Sequence, residues 1–294
     1  MHPAPSVIIF SVFSGLGFGL LAYLGFGVVH PYGWVAFGLW GLGYGLAIVG
    51  LLASAFHLGN PQRALKAFSQ WRSSWLSREA WASVATLLML SPMALSDWLQ
   101  LGWPRGVGII GAGLALTTVF TTSMIYTQIK AVPRWHHWLT PVMFLTFAIT
   151  GGAILAGLAS ATLGLAPVLL AVLALVLLSI WHVGDGQFAR RAQTLGTATG
   201  LDRIGEVTVF EQAHTAGNYL LREMIFVVGR KHVQKLRLLA LLLATVGPAV
   251  LLVLVSGPMA HAIAALCHLI GAFAARWLFF AEAEHVVGLY YGKR

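Results

Sequence analysis

The sequence predicts an all-α, polytopic membrane protein with eight transmembrane helices and both termini on the cytoplasmic side. First, 58% of the 294 residues are hydrophobic and 9% are charged, whereas soluble domains carry about a quarter charged residues. Second, long stretches contain no Asp, Glu, Lys or Arg. Third, nearly all basic residues fall in segments that share one side of such a bundle. A water-soluble fold is excluded.

Charge-free stretches locate the first four spans, because a helix in lipid must satisfy its own backbone hydrogen bonds and needs about 20 apolar residues to cross. No charged residue precedes Arg63, so two spans fit there, separated by a hinge at His30-Pro31-Tyr32-Gly33. The third span follows Glu79, and the fourth lies between Arg105 and Lys130.

Four more spans fit the second half of the sequence. Two lie between Arg134 and Asp185, with a break near residues 159–164, and two lie within residues 238–275, with a break at Ser256-Gly257-Pro258. The eight predicted spans cover residues 7–29, 33–56, 80–99, 106–126, 138–158, 164–183, 237–255 and 258–281.

The protein is expected to form a single membrane domain over residues 1–294. Its one long polar segment, about residues 184–236, is too short for an independent domain with a large core. Residues 206–237 mix charged and apolar side chains in a loosely helical pattern, which favours an amphipathic helix that contacts lipid headgroups or a docked partner. The alternative is a loop that simply lies on the membrane.

Orientation follows from the basic residues. With eight spans, both termini and the loops after spans two, four and six share one side, and 17 of the 18 lysines and arginines lie there. Positive charge marks the cytoplasmic side, so these segments are expected in the cytoplasm, with Arg105 opposite. A basic docking surface for an acidic partner is another source of the same bias. This placement explains the net charge of +9 without nucleic-acid binding, which is set aside.

Cysteine usage limits the redox chemistry that the protein can perform alone. Cys267 is its single cysteine, so the protein forms no internal disulfide and cannot by itself hold an iron–sulfur cluster, which needs several cysteines. We expect no metal on this polypeptide.

The segment after Met1 lacks the features of a cleaved signal peptide, so the first span is expected to stay in the mature protein.

The densest polar constellation lies between the second and third spans. Ionisable groups at the end of a span are costly to bury and are candidate functional residues. A quinone needs hydrogen-bond donors to its carbonyls and groups that exchange protons, which His57 and Glu79 can supply as catalytic residues. The predicted quinone-binding residues are His57, Arg63, Trp71, Trp75, Ser77 and Glu79.

Each of these residues also has an ordinary structural interpretation. His57 can cap the second helix, and Ser77 can be the N-cap of the third. Arg63 and the tryptophans can be interface anchors. Asp97, at the far end of the third span, is interpreted as a solvated cap rather than a proton exit. Four C-terminal residues can complete the quinone pocket or a docking face: Arg276, Glu282, Glu284 and His285.

A motif in this constellation resembles the dimethyl-sulfoxide-reductase membrane anchor family. The matching strings are His57-Leu58-Gly59-x-Pro61-x-Arg63-Ala64 and Leu76-Ser77-x-Glu79. The resemblance implies an eight-helix anchor in the bacterial inner membrane, with an iron–sulfur subunit and a molybdopterin catalytic subunit as partners. It also implies quinol-binding roles for His57, Arg63 and Glu79, with ubiquinone or menaquinone as the quinone.

Three further segments resemble one branch of that family, the anchors of membrane-bound sulfite dehydrogenases. They are His2-Pro3-Ala4, residues 214–224 and residues 276–285. In that branch the catalytic subunits face the cytoplasm, which agrees with the charge bias. Electrons would then pass from sulfite to quinone, and partner docking is expected at Arg222, Glu223, Arg230 and Lys231.

Other functions remain open from the sequence. The same fold can oxidise quinol for a sulfoxide or polysulfide reductase. A secondary transporter would need a mid-membrane polar site, whereas these spans are nearly free of charge at mid-depth. A purely structural anchor is a third alternative. His182, His261 and His268 would permit a haem, although membrane histidines more often bond a neighbouring helix.

Overall fold

The structure is a computed structural model that describes residues 2–56, 60–160, 164–211, 217–225 and 232–291. These residues contain helices and no strand. The α-helices are α1 (Pro5–Phe26), α2 (Gly33–Ala55), α3 (Trp75–Leu99), α4 (Gly106–Thr127), α5 (Leu139–Ala156), α6 (Leu165–Arg190), α7 (Leu195–Thr199), α8 (Tyr219–Glu223), α9 (Val233–Leu254) and α10 (Pro258–Ala281). Helix α9 contains a π-helical segment at Leu242–Val246. Two 3₁₀ helices cover Pro61–Phe68 and Val286–Tyr291.

Eight of the described helices are long and apolar enough to cross a membrane, namely α1–α6, α9 and α10. The all-helical fold with eight candidate spans is confirmed. Apolar residues such as Leu88, Leu175 and Val253 are more than half exposed on the outer faces. Large exposed apolar surface is rare on soluble monomers, whereas lipid covers such a surface in a membrane.

Helix α1 forms the centre of the bundle and packs against α2, α4, α5 and α10. Glycines allow this close approach. A Cβ atom at Gly17 would lie 2.7 Å from the carbonyl oxygen of Gly43 on α2. Small residues at such contacts let helix backbones approach closely in lipid.

Helix ends differ from the prediction where charged residues lie inside a helix. The third span begins at Trp75 rather than near residue 80, and its N-cap is Ser74, so the interpretation of Ser77 as the N-cap is wrong. The sixth span continues to Arg190, past Asp185. Charged residues do not end these helices, because their side chains have hydrogen-bond partners. The Arg78 guanidinium, for example, donates to the carbonyl oxygens of Trp71 and Arg72 at 3.1 and 2.6 Å.

The polar segment between α6 and α9 holds only short helices in its described part. Residues 206–211 are not helical, and helix is found at α8 and again from Val233. The single amphipathic helix expected over residues 206–237 is therefore not found among the described residues. Gly205 and Gly217 lie in this segment, and glycine disfavours a continuous helix.

Candidate functional site

A buried carboxyl group lies one turn inside α3. Glu79 is 4% exposed, and its Oε1 atom accepts a hydrogen bond from the hydroxyl of Thr122 on α4 at 2.5 Å. Because α4 runs antiparallel to α3 and ends at Thr127, both residues lie at the same end of the bundle. An ionisable group buried at this depth in a membrane protein marks a candidate functional site.

A phenol and a guanidinium lie at the same end. Tyr126, one turn beyond Thr122 on α4, interacts electrostatically with both Glu79 and Arg276. Arg276, near the end of α10, is 3% exposed, and its guanidinium carbon lies 3.5 Å from the ring centroid of Phe144 on α5. Three helices thus place an acid, a phenol and a cation together in the interior, where they can exchange and stabilise charge.

An open cavity lies on the outer side of α3, at the same end of the helix as Glu79. It has a volume of about 410 Å³ and is lined by Trp71, Arg78 and Trp81. The Arg78 guanidinium lies 4.3 Å from the ring centroid of Trp75, and the Trp81 indole nitrogen donates to the carbonyl oxygen of Phe68 at 3.0 Å. The cavity falls within the usual size range of small-molecule sites, and its aromatic walls suit a flat ring.

The predicted quinone-binding residues differ in burial and in position. Glu79 and Ser77 are buried, whereas Trp71 lies on the wall of the cavity and is 55% exposed. Trp75 is half-buried and contacts Phe120 edge to face, with ring centroids 6.2 Å apart. Arg63 is exposed on the 3₁₀ helix and makes no ion pair with Glu79 in the described structure. His57 lies outside the described residues.

The predicted docking residues are only partly described. Arg222 is exposed on α8. Glu223 ends that helix, and its side chain is not described. Arg230 and Lys231 lie outside the described residues.

Four charged residues from different segments form an ion-pair network at the Glu79 end. Arg237 donates to Asp185 and Glu282, with distances of 2.5 and 2.7 Å. Arg134 pairs with Asp185 at 2.9 Å and also with Glu282. Together with Glu284, these residues line a cavity of about 560 Å³. The network joins α6, α9, the end of α10 and the loop before α5.

The opposite end of the bundle carries its own ion pair. Asp97 is buried and pairs with Arg105 at 2.8 Å, and it accepts from the indole nitrogen of Trp40 at 3.0 Å. Arg105 also contacts the Nδ1 atom of His30 at 3.0 Å. The interpretation of Asp97 as a solvated cap is therefore wrong. The sequence alone does not show that Arg105 and Trp40 lie beside this carboxylate.

Sequence reasoning missed Thr122 and Tyr126, and it left open whether Arg276 belongs to the pocket around Glu79 or to a docking face. A signal was available in the fourth span, where Thr121-Thr122-Ser123 and Tyr126 place polar groups in an otherwise apolar stretch. Their side of the helix, and hence their meeting with Glu79, depends on the packing of α3 against α4.

Comparison with known proteins agrees with this architecture. The family model described as "DMSO reductase anchor subunit (DmsC)" matches residues 2–292. One sulfite dehydrogenase subunit of Allochromatium vinosum is 30% identical, and the match covers 99% of this chain and 99% of that protein. One component of the anaerobic dimethyl sulfoxide reductase of Escherichia coli strain K12 is 30% identical over 51% of this chain and 54% of that protein. No solved structure matches the sequence. This chain belongs to the family of DMSO reductase anchor subunits and is a multi-pass membrane anchor of an oxidoreductase complex.

Proposed function

We propose that this chain is the quinone-reactive anchor of a three-subunit, molybdenum-containing sulfite dehydrogenase in the bacterial inner membrane. The observation that carries the proposal is Glu79, a buried acid hydrogen-bonded to Thr122 at the end of α3 that also carries an aromatic cavity. A molybdopterin subunit would oxidise sulfite, and an iron–sulfur subunit would pass the electrons to quinone, whether ubiquinone or menaquinone, at this site.

Proton exchange is the task assigned to the chain's own residues. Quinone reduction consumes two protons, and Glu79 can deliver a proton while Thr122 holds its carboxyl group in place. His57, which belongs to the polar segment between the second and third spans, is proposed as the second proton-exchanging group. Arg276 can stabilise negative charge that develops nearby.

Ring binding is assigned to the outer cavity. Trp71 and Trp81 present aromatic surface there, and Arg78 supplies donors. Trp75 and Ser77 lie on the same turn of α3, and Arg63 is proposed to approach the ring from the 3₁₀ helix. The bilayer gives a hydrophobic quinone direct access, because Trp71 and Trp81 are both more than half exposed.

Charge distribution supports a cytoplasmic position for this end. Of the 18 basic residues, 17 belong to segments on the side of Glu79. Both termini would then be cytoplasmic, and the catalytic partners would dock on that face at Arg222, Glu223, Arg230 and Lys231, with membrane lipid beside them. The name of the Allochromatium vinosum relative, a subunit of a sulfite dehydrogenase, supports this direction of electron flow.

The alternative is a quinol-oxidising anchor of a dimethyl sulfoxide or polysulfide type reductase. The Escherichia coli relative, which is named as a chain of an anaerobic dimethyl sulfoxide reductase, favours this alternative. Its similarity covers about half of this chain.

Purification of the intact complex separates the two functions. Co-purified molybdenum and iron–sulfur subunits with sulfite-dependent reduction of a quinone analogue support the proposal. The same subunits with quinol-dependent sulfoxide reduction and no sulfite activity support the alternative. His57→Ala should abolish quinone reduction while sulfite oxidation with an artificial acceptor continues, and full quinone activity in this variant would remove His57 from the site.

A further inference from the structure

A small cavity lies in the interior of the bundle between α1, α5 and α10. The volume accessible to the centre of a water molecule is about 10 Å³, which is enough for one water. It is lined by Ser11, Val12, Gly15, Leu16, Phe147, His268, Ala272 and Arg276. His268 is the eleventh of the 24 residues of α10, so the cavity lies near mid-depth in the span.

The sequence of α9 determines how His268 is oriented. Pro248 has no backbone N–H, so the carbonyl oxygen of Ala244, four residues earlier, lacks its ordinary α-helical donor. The Nδ1 atom of His268 lies 2.7 Å from that oxygen and donates to it. A neutral imidazole with its hydrogen on Nδ1 has an unprotonated Nε2, which is a hydrogen-bond acceptor.

Two buried polar atoms have no hydrogen-bond partner within the described part of the chain. They are Nε2 of His268 and Nη1 of Arg276. Their side chains are 1% and 3% exposed, and both line the small cavity. One atom is an acceptor and the other is a donor, so they need a molecule that can both donate and accept. The buried hydroxyl of Ser11, on the same cavity, has free acceptor capacity because it donates to Ile8.

We propose that this cavity binds one ordered water that accepts a hydrogen bond from Nη1 of Arg276 and donates one to Nε2 of His268, with Ser11 as a third neighbour. Buried waters make two to four such bonds. Without the water, a guanidinium hydrogen and an imidazole nitrogen remain unsatisfied inside the bilayer, which is costly. The volume excludes a quinone ring or a lipid tail.

The bridge makes His268 a positioning residue for Arg276. Arg276 interacts electrostatically with Tyr126 near Glu79, and the water anchors the Nη1 atom of its guanidinium. This consequence for activity rests on the proposed quinone site, whereas the water site itself does not.

High-resolution electron cryomicroscopy of the intact complex tests the water directly. We expect a density peak about 2.7–3.2 Å from both nitrogen atoms in the wild type, and also in His261→Gln. His261 is a matched control on α10, and its Nδ1 atom bonds the carbonyl oxygen of Gly257 instead. An empty cavity, or an Arg276 side chain turned to another partner, would overturn the proposal.

Two further measurements do not depend on that image. Nitrogen-15 spectra of histidine-labelled complex, assigned by comparison with His268→Gln, should show His268 protonated at Nδ1 and unprotonated at Nε2, and the reverse tautomer contradicts the proposal.

His268→Leu should lower the kcat of quinone reduction roughly tenfold, the usual effect of losing a hydrogen bond to a charged group. His268→Gln should restore most of it. Unchanged kcat in His268→Leu refutes the positioning role. A wild-type complex with the water but no quinone reaction refutes the proposed function instead.

Discussion

The hydroxyl of Thr122 on α4 donates a hydrogen bond to the carboxyl group of Glu79 on α3 at 2.5 Å, and both side chains are buried. The bond links residues 43 positions apart in the sequence. It holds one carboxyl oxygen of Glu79. If the proposed quinone site is correct, its activity should depend on both members of this pair.

Glu79→Gln should keep the side-chain shape and the contact with Thr122 but remove proton exchange. We expect quinone reduction to fall at least about 100-fold, the usual minimum for loss of general acid–base catalysis. Steady-state kinetics of the purified complex with a quinone analogue measures this. The complex should assemble normally, and Ser91→Ala, an exposed position on the same helix, serves as the control. Near-normal kcat in Glu79→Gln would rule out Glu79 as the proton-exchanging group.

Thr122→Val replaces the hydroxyl by a methyl group of similar size. As Glu79 releases its proton, this bond stabilises the carboxylate charge that develops, and a hydrogen bond to a charged group contributes about 1.5–3 kcal/mol. We therefore expect kcat to fall by about one to two orders of magnitude. Thr122→Ser keeps the hydroxyl and should retain most of the activity. Equal kinetics for the valine and serine variants would show that the bond to Glu79 has no role in turnover.

The ion pair at the other end of the bundle should matter for stability and not for chemistry. Asp97→Ala leaves the Trp40 indole without its acceptor and Arg105 without its carboxylate partner, and we expect a loss of about 3 kcal/mol in the free energy of unfolding. Thermal unfolding of the complex in detergent measures it, with quinone kinetics unchanged below the transition. The double variant Asp97→Ala/Arg105→Ala should recover part of the loss. If Asp97→Ala leaves the melting temperature unchanged, the pair has no stabilising role.

Orientation is testable by cysteine labelling. Cys267 is the protein's single cysteine, so Cys267→Ser provides a background without thiols. In that background, Ser69→Cys at the Glu79 end and Trp103→Cys at the opposite end are exposed positions. A membrane-impermeant maleimide should label residue 103 in whole spheroplasts and residue 69 only after lysis. The reverse pattern would place the site on the outer face.

Much of the fold was predictable because each span satisfies its own backbone and shows as an apolar stretch. The start of α3 and the end of α6 were not, since Arg78 and Asp185 look like helix limits until their partners are known. Glu79 was predictable as an ionisable group at a span terminus. Its partner Thr122 was not, because a threonine in an apolar helix says nothing about which neighbour it will contact.

The most direct measurement is to map where quinone binds. A photoreactive quinone analogue, added to the complex in membranes and cross-linked, should label peptides from residues 71–81, which include the start of α3, and from the adjoining end of α4, and excess natural quinone should compete. Glu79→Gln should bind the analogue but turn over slowly. Labelling confined to the Asp97 and Arg105 end of the bundle, or labelling that natural quinone does not displace, would contradict a quinone site at Glu79.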